Sequence, residues 1–163
     1  MNVFKAPINF LLFLVVMLTT QASAQRLQKL KITELSHIIK TSDSVLIINF
    51  WATFCKPCVA EIPDLIKYSR KFKQEKAILY LVSLDLADYY PKKIKQFIAK
   101  KKITSRIAWL DESNADYFCP IIDTSWSGSI PATLIVNNKK GYKRFYEKQL
   151  TASEIEMAIK EAL

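Results

Sequence analysis

The chain has 163 residues, half of them hydrophobic and 12% aromatic, with 24 Lys and Arg against 15 Asp and Glu for a formal charge of +9. This suits one domain with a packed core and excludes wholesale disorder. Two glycines rule out a glycine-rich phosphate cradle, one histidine argues against a His-based metal centre or a catalytic triad, and three cysteines are too few for a disulfide-stapled scaffold. Cysteine chemistry remains.

In chain order, residues 1–24 come first and read as an address. Lys5 precedes an unbroken apolar run from Phe10 to Leu18, and Ala22-Ser23-Ala24 fits the small-x-small pattern of a secretory signal cut before Gln25. The run is shorter than the roughly 20 residues of a spanning helix. An uncleaved N-terminal anchor is the alternative, and without a cysteine at the junction a lipid anchor is not indicated. Cleavage would leave residues 25–163 as one small basic domain, exported to the periplasm and not inserted in the membrane.

Within that domain Thr33 is expected to cap a short helix reaching Lys40. Val45–Phe50 is a continuous apolar, β-branched run, as a strand covered on both faces requires. Val59, Ile62, Leu65 and Ile66 mark one face of a helix from Cys58 to Lys73, which Pro63 should kink. Ala77–Leu84 reads as a second buried strand. Pro91 suits the first turn of a helix with Ile94, Phe97 and Ile98 as its stripe, and Ile107–Leu110 is a third strand. Ala132–Val136 and Tyr142–Tyr146 flank Asn137-Asn138-Lys139-Lys140-Gly141 as a hairpin, and a Thr151/Glu154 capping box opens a closing amphipathic helix. This order implies an α/β fold with a mixed sheet flanked by helices.

The chemistry sits where the first of these strands runs into its helix. Trp51-Ala52-Thr53-Phe54-Cys55-Lys56-Pro57-Cys58 places a Cys-x-x-Cys at a helix start, where unpaired N–H groups and the helix dipole stabilise a thiolate. Cys55, at the very N-terminus, should titrate below the free-thiol value of about 8.5, with Lys56 acting in the same direction. Cys58, a turn further on, should be more buried and less acidic. A nucleophilic thiol followed by a resolving thiol is the arrangement disulfide exchange uses.

Asn49-Phe50-Trp51-Ala52-Thr53-Phe54-Cys55-Lys56-Pro57-Cys58, with Pro63 in the helix and Ser129-Ile130-Pro131-Ala132-Thr133 downstream, resembles the thioredoxin superfamily and in particular its exported reductases of the TlpA/ResA/CcmG type. The resemblance covers essentially all of residues 25–163 and implies a central sheet flanked by helices and a redox-active Cys55–Cys58 pair. It also implies a cis-proline loop, Ile130-Pro131, facing the dithiol and forming a client-binding surface with Trp51, Lys56 and Pro57. Cytoplasmic thioredoxins have a buried aspartate where Asn49 stands; the exported branch often places a glutamate where Glu61 stands, making Glu61 a candidate catalytic acid or base. The Lys-Pro dipeptide departs from Gly-Pro, the N-terminal hairpin of that branch looks abbreviated, and the long helical insert of some members is missing.

Each residue has a plainer reading. Cys55 and Cys58 alone would also suit a structural disulfide or half a zinc site, although a second Cys-x-x-Cys is missing and the pair is not followed by the His of a haem-attachment motif. Glu61 would equally suit a solvated helix-start acid. Cys119 reads as a buried small hydrophobe, His37 as surface or packing, Lys92 to Lys102 as the wet face of a helix, and Trp126-Ser127-Gly128 as groove lining or a turn. Three functions follow: a thiol-disulfide oxidoreductase reducing exported clients, a protein-disulfide oxidase, and a Cu(I)-delivery protein using the same cysteines. The leading one needs no metal and no cofactor; its partners are disulfide-containing exported clients and an upstream thiol donor, with no nucleic acid.

Overall fold

The computed structural model describes residues 27–163. The expected signal segment and cleavage point lie outside the described residues.

Six strands form one mixed sheet: β1 (Leu27–Leu30), β2 (Val45–Trp51), β3 (Ala77–Ser83), β4 (Arg106–Leu110), β5 (Ala132–Asn137) and β6 (Tyr142–Tyr146). Their spatial order is β1-β4-β3-β2-β5-β6. The first four are mutually parallel, β5 runs antiparallel to β2, and β6 pairs antiparallel with β5 across the predicted hairpin. Gly141, at φ +63°, closes that turn in the left-handed region, where a residue without Cβ is unstrained. Five α-helices connect the strands: α1 (Ile32–Thr41), α2 (Lys56–Lys71), α3 (Lys92–Lys100), α4 (Ala115–Ile122) and α5 (Ala152–Ala162).

Strand periodicity explains how the site is placed. Successive side chains of β2 point to opposite faces. Val45, Ile47 and Trp51 pack into the core beneath α2, α3 and α5, whereas Leu46, Ile48 and Phe50 pack into the one beneath α1 and α4. Asn49 therefore points toward α2 although it is polar. Fully burying apolar side chains of this size contributes roughly 1.5–3 kcal/mol each, which fixes the register of β2.

Several expectations need correction. β1 was not foreseen; its Leu-Gln-Lys-Leu pattern is four residues long and becomes a strand by parallel pairing with β4. α4 was also missed, because Pro120 interrupts its helical pattern, yet Asn114 caps it by accepting the Asp116 N–H at 3.0 Å. Thr33 is not a cap but lies inside the first turn of α1. There the Glu34 carboxylate takes the Lys31 N–H at 2.7 Å and Glu112 takes the Ile32 N–H at 3.0 Å, leaving Thr33 no donor to satisfy. α2 starts at Lys56 rather than Cys58, and Pro91 precedes α3 as its N-cap, after a cis Tyr90–Pro91 bond. The capping box of α5 is present: Glu154 accepts the Thr151 N–H at 2.8 Å. No helix of the described residues is long and apolar enough to cross a membrane.

Candidate active site at the N-terminus of α2

At the end of β2 the chain turns through Ala52–Phe54 and enters α2 with Cys55 as the N-cap. The Cys55 sulfur accepts the Cys58 N–H at 3.3 Å, so a helix-start donor points at it. Pro57 lies in the first turn, where its missing N–H costs nothing. Cys55 and Cys58 are joined as a disulfide with Cα atoms 5.3 Å apart. Cys55 retains 9% of its surface exposed, whereas Cys58 is fully buried at 0%.

The turn is held from behind by Asp85, which the sequence reading missed. Its buried carboxylate accepts the Thr53 N–H through both oxygens at 3.1 Å, the Thr53 hydroxyl at 2.6 Å and the Ser83 hydroxyl at 2.7 Å. Its backbone carbonyl accepts the Trp109 indole N–H at 2.7 Å. The signal was an acid two residues past Ser83 at the end of a buried strand, but its partner lies 32 positions away.

Glu61 is not a solvated helix-start acid. It is 2% exposed, and the helical spacing of three puts it on the same face of α2 as Cys58. Asn49 Nδ2 donates to one carboxylate oxygen at 2.7 Å and the Leu150 N–H donates to the other at 2.8 Å. Burial pushes the Glu61 pKa up, and the Leu150 and Asn49 hydrogen bonds oppose this only in part. Asn49 Nδ2 also donates to the Thr133 hydroxyl at 3.0 Å, while Asn49 Oδ1 is buried and unpartnered. A half-turn of that amide would let Oδ1 accept a proton-bearing Glu61.

The Ile130–Pro131 bond is cis, and the Ile130 carbonyl lies 3.9 Å from the Cys55 sulfur. With both sulfurs in the disulfide neither carries a proton, so this is a contact rather than a hydrogen bond. Ile130 is half-buried and Pro131 buried, while Lys56 and Pro57 are exposed beside Cys55. Trp51 departs from its expected role in client binding: it is wholly buried, packed against Phe97, because it falls on the inward face of β2. The exposed aromatic is Phe54, at 63%. Trp126 is core too, against Phe50, Phe118 and Phe145, and its indole N–H ties the loop by donating to the Ser129 carbonyl at 2.9 Å.

Cys119 is the free cysteine, buried in α4; desolvation, then Glu147 and Asp116, pushes its thiol up to about 11. His37 is exposed on α1. Among the described residues no group of three or more His, Cys, Asp or Glu is placed to hold a metal ion.

The fold has counterparts among known proteins. The chain is 28% identical over 116 residues to the thioredoxin-like protein YneN of Bacillus subtilis, covering 70% of this chain and 62% of that one. It is 25% identical over 111 residues to the thiol-disulfide oxidoreductase ResA of Oceanobacillus iheyensis, covering 68% and 53%. The chain thus spans less than two thirds of the length of both curated relatives. A thioredoxin-related protein from Neisseria meningitidis serogroup B superposes with a TM-score of 0.63 at 25% identity, covering 74% of this chain and 86% of that one. The AhpC/TSA family model matches residues 18–141, so the chain belongs to the AhpC/TSA family and has a thioredoxin-like fold.

Proposed function

We propose that this chain is a thiol-disulfide oxidoreductase that reduces disulfides in exported proteins. The observation that carries the reading is the asymmetric pair at the head of α2: a marginally exposed cysteine at the N-cap, its sulfur accepting a helix-start N–H, and a wholly buried one a turn inside. The printed name of the Oceanobacillus relative agrees with it. The leader-like segment before Gln25 supports export to the periplasm.

In the reduced enzyme the Cys55 thiolate attacks one sulfur of a client disulfide. That S–S bond breaks, Cys55 is left in a mixed disulfide, and the other client sulfur departs as a thiolate and takes up a proton. Cys58 then gives its proton to the Glu61 carboxylate and attacks the Cys55 sulfur. The second client sulfur leaves as a thiolate, is protonated, and the Cys55–Cys58 disulfide remains. Two electrons have passed to the client, and an upstream thiol donor restores the dithiol. Glu61 suits the proton step because burial raises its pKa toward the working range of a base. Ile130-Pro131 offers a backbone edge beside the reacting sulfur, with Lys56 and Pro57 at the rim.

Trapping tests this. Cys58→Ser should accumulate mixed disulfides with clients and Cys55→Ser should not; equal trapping by both contradicts the assigned order. The equilibrium potential of the pair against glutathione sets the direction: near about −270 mV it is a reductase, near about −120 mV an oxidant.

A further inference from the structure

The net charge of the described chain is concentrated in one place. Residues 91–110 carry six Lys and one Arg and no acid, while the rest of residues 27–163 carries 15 basic and 15 acidic side chains. α3, the turn after it and Arg106 at the start of β4 therefore hold a net +7, and the rest of residues 27–163 is neutral. None of the six lysines has an ion-pair partner among the described residues, whereas Lys29, Lys31, Lys71, Lys143, Lys148 and Lys160 each lie within 3.0 Å of a carboxylate.

Two of these lysines, Lys93 and Lys100, border the turn that leads into Cys55. A groove of about 390 Å³ runs from Thr53 and Phe54, immediately before Cys55, to Tyr89, Lys93, Phe97 and Lys100. Phe54 stands exposed at one side. Lys93 is held over the Tyr89 ring, its Nζ 3.9 Å from the centroid, which orders the ammonium without neutralising it. Asp88, on the same turn as Tyr89, is not among the residues lining the groove. The sheet order puts α3, which follows β3, on one side of Cys55, and the Ile130-Pro131 loop, which enters β5, on the other. A client strand lying on that loop and crossing Cys55 runs toward α3.

The geometry points to a docking groove for client segments that carry acidic side chains, with apolar neighbours, beside their reacting cysteine. This rests on the proposed oxidoreductase function and adds the substrate class: the aromatic floor takes the apolar residues, while Lys93 and Lys100 take the carboxylates. Unpaired lysines steer as well as bind, so acidic clients arrive faster and salt removes the advantage.

Two readouts keep this claim separate from the one it rests on. Three peptides are matched except for acidic, neutral or basic residues around one cysteine. In the first readout that cysteine is replaced by serine and binding to the oxidised full-length protein is measured, which requires no redox activity. The acidic peptide should bind about tenfold more tightly than the basic one at low salt, with the gap closing at high salt. In the second, the same peptides as mixed disulfides are reduced by the dithiol form, and the rates should follow the same order. Lys93→Glu/Lys100→Glu should reverse the preference, whereas Lys40→Glu/Lys73→Glu, the same charge change placed elsewhere, should keep it. Equal binding of acidic and basic peptides at low salt overturns the groove, as does an unchanged preference in Lys93→Glu/Lys100→Glu. Acid-selective binding with no reduction of any peptide leaves the groove standing and overturns the oxidoreductase reading.

Discussion

The head of α2 and the interior of α4 each hold a cysteine, in opposite surroundings. Cys55 sits at an N-cap with the Cys58 N–H directed at its sulfur and the exposed Lys56 next in the chain. Cys119 sits mid-helix, 3% exposed among apolar side chains, with acids rather than donors contributing to its field, and its thiol is pushed up to about 11. Burial alone does not separate the two positions, since Cys55 is itself only 9% exposed. What differs is the supply of unpaired N–H groups, abundant at a helix start and consumed within it.

The largest effect that would break this contrast is loss of the nucleophile. Cys55→Ser should bring disulfide exchange down to background in an insulin-reduction assay, while Cys119→Ser should not lower it. Activity that survives in Cys55→Ser would place the nucleophile elsewhere.

Glu61 sharpens the same region. Glu61→Gln should slow resolution of the mixed disulfide by about 10²-fold, read by stopped-flow at neutral pH. The resolving rate of the wild type should rise with pH as Glu61 ionises, and the variant should lose that inflection. Stability gives an independent check of sign. Because the folded pKa is raised above the ordinary 4.5, the contribution of Glu61 is fully present below that value and is lost as pH rises through the raised one. Glu61→Gln should flatten this fall in denaturant titrations, with Asn49 Oδ1 turning to accept the new amide. A variant with wild-type rates and the same pH slope would reduce Glu61 to a packing group.

Asp85 supports the turn without touching the sulfurs. Asp85→Ala strands the Thr53 and Ser83 donors and should destabilise the fold by about 1–3 kcal/mol, with the loss in exchange rate exceeding what the unfolded fraction explains. The smallest effect belongs to Cys119. Cys119→Ala should cost about 1 kcal/mol in thermal unfolding and leave the exchange rate as it was.

Much of this was legible in the sequence because the signals are local. The apolar run of β2, the stripe of α2, the Cys-x-x-Cys at their junction and the Thr151/Glu154 box each declare themselves within a few residues. Glu61 was singled out by the resemblance to exported thioredoxin-like reductases, but whether it was buried depended on Leu150, 89 positions away, and on the register of Asn49. β1, Asp85 and the Glu112 contact to α1 are made by segments distant in sequence, so no local pattern announces them. Trp51 was expected at the client surface from the resemblance, whereas strand alternation, itself a local pattern, carries Val45, Ile47, Asn49 and Trp51 to one inward face, and the exposed aromatic next to Cys55 is Phe54. The charge on α3 was visible as a lysine run, and only the fold sets Lys93 and Lys100 beside Thr53 and Phe54.

The most direct test of the central claim is to alkylate the fully reduced protein from pH 4 to 10 and locate the label at each cysteine by mass spectrometry. Cys55 should react first, with an inflection below the free-thiol value of about 8.5, Cys58 more slowly, and Cys119 not at all while the protein stays folded. Label arriving first on Cys58 or Cys119, or a Cys55 inflection at or above the free-thiol value, would contradict the account.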